Sequence, residues 1–304
     1  MLLGISLHQP LTSNTINLIL ACIALALSYI SATSTNDLAD QKIDAVNHPA
    51  SSGRPLINGM AKPRDMWLMF YGASLVAISL GLLINKWAVL ILVISIAINV
   101  SYSLKPLRFS YRTFLAPLVL GVAYVAVPYS LGLAVIGSRP TSFDLIWIIG
   151  LYFMFVGRIL LKDFRDRAGD KKYNKPTFLL CFGKKATCLL SASLIAIGGI
   201  IICYQVKSQL WLLITIICFM ASIIYMLRLL YKSKVGKSEQ LSIGVGAKMG
   251  NGLLIVILLA NILSYGNMTK SIQIVIGLVI ALLFFINFIS YLKDPGIGEI
   301  GYKG

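Results

Sequence analysis

Long apolar stretches separated by short polar ones dominate the chain. About 20 helical residues cross the hydrocarbon core of a bilayer. Nine stretches reach that length, near 12–33, 66–84, 87–104, 113–136, 143–161, 186–204, 209–231, 247–264 and 272–292. Each predicts a membrane helix, so the fold class expected is all-α, a polytopic helical bundle of about nine transmembrane helices. Pro117 and Pro128 fall within the fourth stretch. They predict kinks there, because proline removes a backbone donor and clashes with the preceding turn.

Composition agrees with the pattern. The 304 residues are 58% hydrophobic and only 12% charged, about half the charge of a soluble domain. A net charge of +16 could point to nucleic acid, but its distribution points elsewhere. All but four of the 27 Lys and Arg fall on one side of the alternating loops, the side that follows the first stretch. The exceptions are Lys86, Arg139, Lys207 and Lys270, one in each loop of the other side. The bias of positive charge towards the inner loops assigns the basic side to the cytoplasm. The expectation is a multi-pass integral protein of the plasma (inner) membrane, with no nucleic acid and no obligate protein partner. The start of the chain carries no basic residue ahead of its apolar run, so a cleavable leader is not expected. Five cysteines without a C-x-x-C pair and only two histidines argue against a zinc or iron site.

The acids carry more information. Of 11 Asp and Glu, six form two clusters with matched spacing: Asp37, Asp40 and Asp44, then Asp163, Asp166 and Asp170. At about 100° per residue, the first and last acid of each cluster nearly eclipse, and the middle one lies about 60° away. Each cluster therefore puts three carboxylates on one helix face. Both fall on the basic, cytoplasmic side. Both precede loops rich in Pro, Gly and cations, residues 45–65 and 171–185, which read as ordered caps. The cations of 171–185 read as orienting charge, apart from Lys171 beside Asp170.

Two carboxylate triplets at the rim of a bundle repel unless cations lie between them. Oxygen ligands at this density suit Mg²⁺, which often keeps substrate phosphates among its ligands. Lys42, Arg54, Lys105, Arg108, Arg112, Lys162, Arg165, Lys171 and Lys172 are candidates for phosphate oxygens. A diphosphate at the rim above an apolar bundle describes a polyprenyl diphosphate.

At these residues the chain resembles the UbiA superfamily of intramembrane prenyltransferases. The resemblance rests on Asn36-Asp37-x-x-Asp40-x-x-x-Asp44 with Asn47 and Arg54-Pro55-Leu56. The second signature is Lys162-Asp163-x-x-Asp166-x-x-Gly169-Asp170 with Gly183-Lys184. It covers residues 15 to about 230, with 231–304 as additional helices of a single transmembrane domain spanning 1–304. It implies a central cavity, open to the cytoplasmic side. It also implies Mg²⁺-dependent loss of diphosphate from an allylic prenyl diphosphate, whose carbocation is attacked by an acceptor. Under it, Asn36, Asp37, Asp40 and Asp44 hold one metal and the diphosphate, and Asp163, Asp166 and Asp170 hold a second. Asp37, Asp40, Asp163 and Asp166 are the expected catalytic core. Arg54, Lys162 and Lys171 are expected on phosphate oxygens. The family's Tyr-Ser-x-x-Leu-Lys type stretch corresponds to residues 102–108, Y-S-L-K-P-L-R, so Tyr102 fits while its cation is either Lys105 or Arg108. The family usually has a helix before the one that carries the first motif; here the first apolar stretch already leads into Asn36, so the expectation is either a truncated start or a reduced N-terminus.

The expected acceptor is an aromatic quinone-precursor ring such as hydroxybenzoate. Alternatives are a prenylglyceryl phosphate or phosphoribosyl diphosphate. From another class, a cation-coupled transporter is weighed against these. Transport sites lie near the midplane in broken helices, whereas the acids here lie at helix ends.

Overall fold

The computed structural model describes residues 1–49, 53–234, 236–266 and 268–293. Among them the chain is helical throughout and forms no strand. Among the described residues, nine helices are long and apolar enough to cross a membrane, at the places where the hydropathy pattern puts them. The C-terminal residues 294–304, and residues 50–52 of the expected cap 45–65, lie outside the described residues.

Two compact units divide the chain. The first holds Met1–Ile5, Leu11–Thr141 and Arg165–Gly183. Its helices are α1 (Leu2–Ser6), α2 (Thr15–Asn47), α3 (Pro63–Ile84), α4 (Lys86–Ser103), α5 (Leu115–Gly121) and α6 (Val127–Val135). Ile5, Ala21, Ala24, Ala88, Leu92, Leu131 and Ala134 form its core. Small residues let α2 lie close to its neighbours. Ser28 and Ser95 share a 2.8 Å hydrogen bond between α2 and α4, and Ser31 and Ser74 share one of 2.8 Å between α2 and α3. Such pairs satisfy hydroxyls that lipid cannot. Between α5 and α6, residues Val122–Ala126 form a single π turn. It ends just before Pro128, whose missing N–H would otherwise have to donate to the preceding turn. The expected kink is thus a widened turn flanked by the two prolines.

The second unit holds Ser6–Pro10, Ser142–Phe164 and the chain from Lys184 onward. It contains α7 (Ser142–Ile159), most of α9 (Phe178–Gln205), α10 (Leu210–Lys232), α11 (Lys237–Ser264) and α12 (Lys270–Lys293). Gly150 and Gly157 of α7 meet α9 closely. A Cβ on Gly198 would run into the Gly150 carbonyl oxygen, and the Ser191 hydroxyl donates to the Gly157 carbonyl at 2.6 Å. A buried polar cluster ties α9 to α11: Lys184 Nζ donates to Glu239 Oε1 at 2.7 Å and to the Ser233 carbonyl at 2.6 Å.

Helix α8 (Asp163–Lys172) carries the second acidic cluster. Its first two residues group with the second unit and the rest with the first. The stretch 171–185 is not one loop, as its composition suggested. Helix α8 runs through Lys172 and α9 begins at Phe178, leaving 173–177 as the connection. Glycine at 183, with φ of +78°, breaks α9. Before the break, Phe178 meets Phe114 edge to face and Phe182 at a tilt, so this part of the stretch is packed rather than a solvated loop.

Candidate active site

The site of the first unit is built from the polar end of α2, the residues of α8 from Arg165 on, and three connections. Helix α2 continues without a break from its apolar body into Asn36–Asp44, so the first acidic cluster stands on a rigid helix anchored in the membrane part. Asp40 and Asp44 are buried. Asn36 Nδ2 donates to Asp40 Oδ2 at 3.5 Å.

Helix α8 lies against this end of α2 at Gly169. Its backbone N–H donates to Asn47 Oδ1 at 2.6 Å. A Cβ there would fall 2.6 Å from the Ile43 carbonyl oxygen. Glycine therefore permits an approach that any larger residue would prevent, and it places its neighbour Asp170, which is buried, beside the first cluster.

Cations neutralise the carboxylates. Arg54 Nη1 donates to Asp37 and lies 3.2 Å from Asp44 Oδ2. Its carbonyl accepts from the N–H groups of Ile57 and Asn58 at 2.9 and 3.1 Å, so a turn holds the arginine in place. This part of the cap 45–65 is ordered, as its composition implied. Asp166 has Arg165 Nε at 3.1 Å and His48 Nε2 at 3.5 Å. Lys175 Nζ donates to Asp40 Oδ2 at 2.8 Å and lies 3.8 Å from Asp170 Oδ1. Burial alone would lower the Lys175 ammonium, but Asp40, Asp170 and Tyr111 together outweigh it and leave the pKa raised.

The connection after α4 supplies Arg108. Arg108 takes a left-handed backbone, with φ of +40°. Its guanidinium stacks 3.8 Å from the Tyr111 ring, donates to the Ala39 carbonyl at 3.1 Å and lies 3.7 Å from Asp40 Oδ1. Lys105 is exposed. Of these two cations, Arg108 is the one that approaches the first cluster. Lys42, Arg112, Lys171 and Lys172 are exposed as well, and Tyr102 is half-buried near the end of α4. Asp163 and Lys162 belong to the second unit. Lys175 and His48 have no role in the sequence reading, and Asn47 and Gly169 enter it only as parts of the two signatures, with no contact assigned to them. A lysine in the turn-forming stretch Asn174-Lys175-Pro176, five residues past Asp170, is the one signal that could have drawn attention to Lys175.

Among the described residues, no three His, Cys, Asp or Glu side chains converge as a ready metal cage. The carboxylates turn to Arg54, Lys175 and Arg165 instead. The donor set nevertheless fits a hard divalent cation. It is all carboxylate oxygen, and Asp40 Oδ1 is buried without a hydrogen bond.

Residues 1–252 of the 304 match the model of the UbiA prenyltransferase family. The chain belongs to this family. Homogentisate phytyltransferase of Synechocystis is 31% identical over 173 residues, which are 54% of each chain. The chain spans about half the length of curated relatives such as this one. Among solved structures, one of digeranylgeranylglyceryl phosphate synthase superposes with a TM-score of 0.63 at 21% identity, covering 86% of this chain and 90% of the other. A UbiA homolog from Archaeoglobus fulgidus bound to GPP and Mg²⁺ superposes with a TM-score of 0.60 at 17% identity, covering 96% and 93%. Fold and family agree with the resemblance carried by the two acidic motifs.

Proposed function

We propose that this membrane protein transfers a prenyl group from an allylic polyprenyl diphosphate to an acceptor and releases diphosphate. The observation that carries this reading is the meeting of the two acidic motifs. Asp37, Asp40 and Asp44 on α2 face Asp166 and Asp170 on α8, under Arg54, Arg108 and Lys175. A GPP- and Mg²⁺-bound homolog of the same fold supports it.

Asp37, Asp40 and Asp44, with Asp166 and Asp170, would hold Mg²⁺, and the family resemblance adds Asp163. Bound there, the metal supplies Lewis-acid stabilisation of charge on the departing diphosphate. Arg54 and Arg108 bind and orient the diphosphate oxygens, and the resemblance adds Lys162, Tyr102, Asn36 and Lys171. The allylic C–O bond breaks with its electron pair leaving on diphosphate. The acceptor donates an electron pair to the allylic carbon and then loses a proton.

The acceptor we favour is an aromatic ring, on the name of the phytyltransferase relative, whose acceptor homogentisate is one. A second reading, transfer to a prenylglyceryl phosphate, is supported by the structural likeness to digeranylgeranylglyceryl phosphate synthase. The positive loops orient the site towards the cytoplasm in this proposal, in the plasma (inner) membrane, with an apolar cavity for the tail.

The test is release of diphosphate by the purified protein given Mg²⁺, prenyl diphosphates of several lengths, and hydroxybenzoate, homogentisate or a prenylglyceryl phosphate. Prenylated product with one acceptor class identifies it. No diphosphate release with any combination rejects the reading.

A further inference from the structure

The clusters are already closed by cations that belong to the chain. Lys175 stands apart from Arg54 and Arg165, because it reaches an acid of each cluster. Its Nζ is 2.8 Å from Asp40 Oδ2 and 3.8 Å from Asp170 Oδ1, and its side chain is only 13% exposed. The turn holds it there. The Lys175 N–H donates to the Asp170 carbonyl at 2.9 Å, and the Thr113 hydroxyl donates to the carbonyl of the next residue, Pro176, at 2.7 Å. The Tyr111 ring lies 5.8 Å from Nζ. Across Asp40, the other carboxylate oxygen is buried without a hydrogen bond.

An ammonium has three donors and no lone pair, so it cannot ligate a metal. Its protons point at the oxygen electrons that a divalent ion would use. A divalent ion and an ammonium a few Å apart repel strongly in a buried setting. Holding both on the same carboxylates in this arrangement is therefore electrostatically costly.

We infer that Lys175 is a built-in counter-cation that joins the two acidic helices in the metal-free protein and competes with the divalent metal for Asp40 and Asp170. Loading of metal displaces the ammonium from these oxygens and frees its charge for an incoming diphosphate. This rests on the prenyltransferase reading for the metal's place, but its test needs no turnover.

The experiment titrates Mn²⁺ into the purified full chain without prenyl diphosphate or acceptor. Free Mn²⁺ is read by electron paramagnetic resonance, and unfolding is followed with and without the metal. Wild type is compared with Lys175→Met, Lys175→Gln and Lys175→Arg. Lys172→Met removes the same charge from an exposed position. In Lys175→Met we expect Mn²⁺ to bind about tenfold tighter or more, the scale that a charged hydrogen bond sets. We also expect a lower unfolding midpoint without metal and a larger gain in midpoint on adding it. Lys175→Arg restores the metal-free midpoint, and Lys172→Met moves neither readout. Lys175→Gln keeps a donor without charge and gives the same tightening even if the methionine variant folds poorly. Unchanged or weaker Mn²⁺ binding in both neutral variants overturns the inference. So does equal tightening in Lys172→Met, which would mean bulk charge, or failure of every protein, wild type included, to bind Mn²⁺. Failure of the prenyltransferase reading shows separately, as metal binding without diphosphate release.

Discussion

The backbone N–H of Gly169 donates to the side chain of Asn47 at 2.6 Å, and no Cβ fits at residue 169. This contact sets how near α8 comes to the end of α2. It therefore sets the separation of Asp166 and Asp170 from Asp40 and Asp44. Replacing Gly169 by Ala forces backbone apart against the Ile43 carbonyl, which should cost about 1–3 kcal/mol of stability. We expect diphosphate release to fall more steeply than expression of folded protein, by tenfold or more, because small displacements of positioned groups reduce rate strongly. Asn47→Ala leaves the contact sterically intact but removes the acceptor. It should lose less, about 1 kcal/mol. Rates in membranes alongside unfolding midpoints check both, and equal rates for wild type and Gly169→Ala would exclude this role.

Arg54 joins Asp37 and Asp44 through one guanidinium. Both contacts run through Nη1, and lysine would keep the charge but lack the planar, oriented guanidinium that carries it there. Arg54→Lys should raise KM for prenyl diphosphate several-fold, and Arg54→Ala should lower kcat/KM about a hundredfold, in the range of lost charged contacts. Steady-state kinetics at saturating Mg²⁺ make the comparison.

The acids should differ sharply in consequence. Asp37→Asn and Asp40→Asn remove oxygen charge from the proposed metal site and are expected to reduce diphosphate release by about a thousandfold. Asp65→Asn lies at the start of α3, where its side chain accepts from the Lys62 N–H at 2.8 Å. It should cost helix capping of about 1 kcal/mol and leave the rate close to wild type. Removal of divalent metal with a chelator should stop release in all three, and Mg²⁺ should restore it in Asp65→Asn to its starting value. Assays of the three variants side by side, before and after chelation, decide this.

In the second unit, Glu239 is 2% exposed and its Oε1 accepts from Lys184. Lys184→Met leaves a buried carboxylate without this partner and should destabilise by about 3–5 kcal/mol. The double variant Lys184→Met with Glu239→Leu should recover most of that. Denaturant unfolding of the solubilised protein measures it. A double variant as unstable as the single one would contradict a simple buried pair.

Much was legible in the residues alone. Membrane helices are recorded locally, since twenty apolar residues in a row leave the backbone no other way to satisfy its hydrogen bonds in lipid. The two acidic clusters were also legible, because helical periodicity alone puts residues three and seven apart on one face. Arg54 was legible as one of several cations near the acids and through the Arg54-Pro55-Leu56 stretch of the family resemblance. The choice between Lys105 and Arg108 was not legible. It depends on a left-handed backbone at Arg108 and on stacking with Tyr111, which turn one cation inward and leave the other exposed.

What the sequence by itself determined, then, was which segments cross the membrane, which side carries charge, and which carboxylates share a helix face. Only the tertiary structure decided that Gly169 lies on Asn47 and that Lys175 reaches both Asp40 and Asp170. Hydropathy and helix periodicity act over one or two turns of a single helix. Contacts between residue 40 and residue 175 depend instead on how helices far apart in the chain pack, and that is decided by shape, by a missing Cβ and by the charge each buried carboxylate must find.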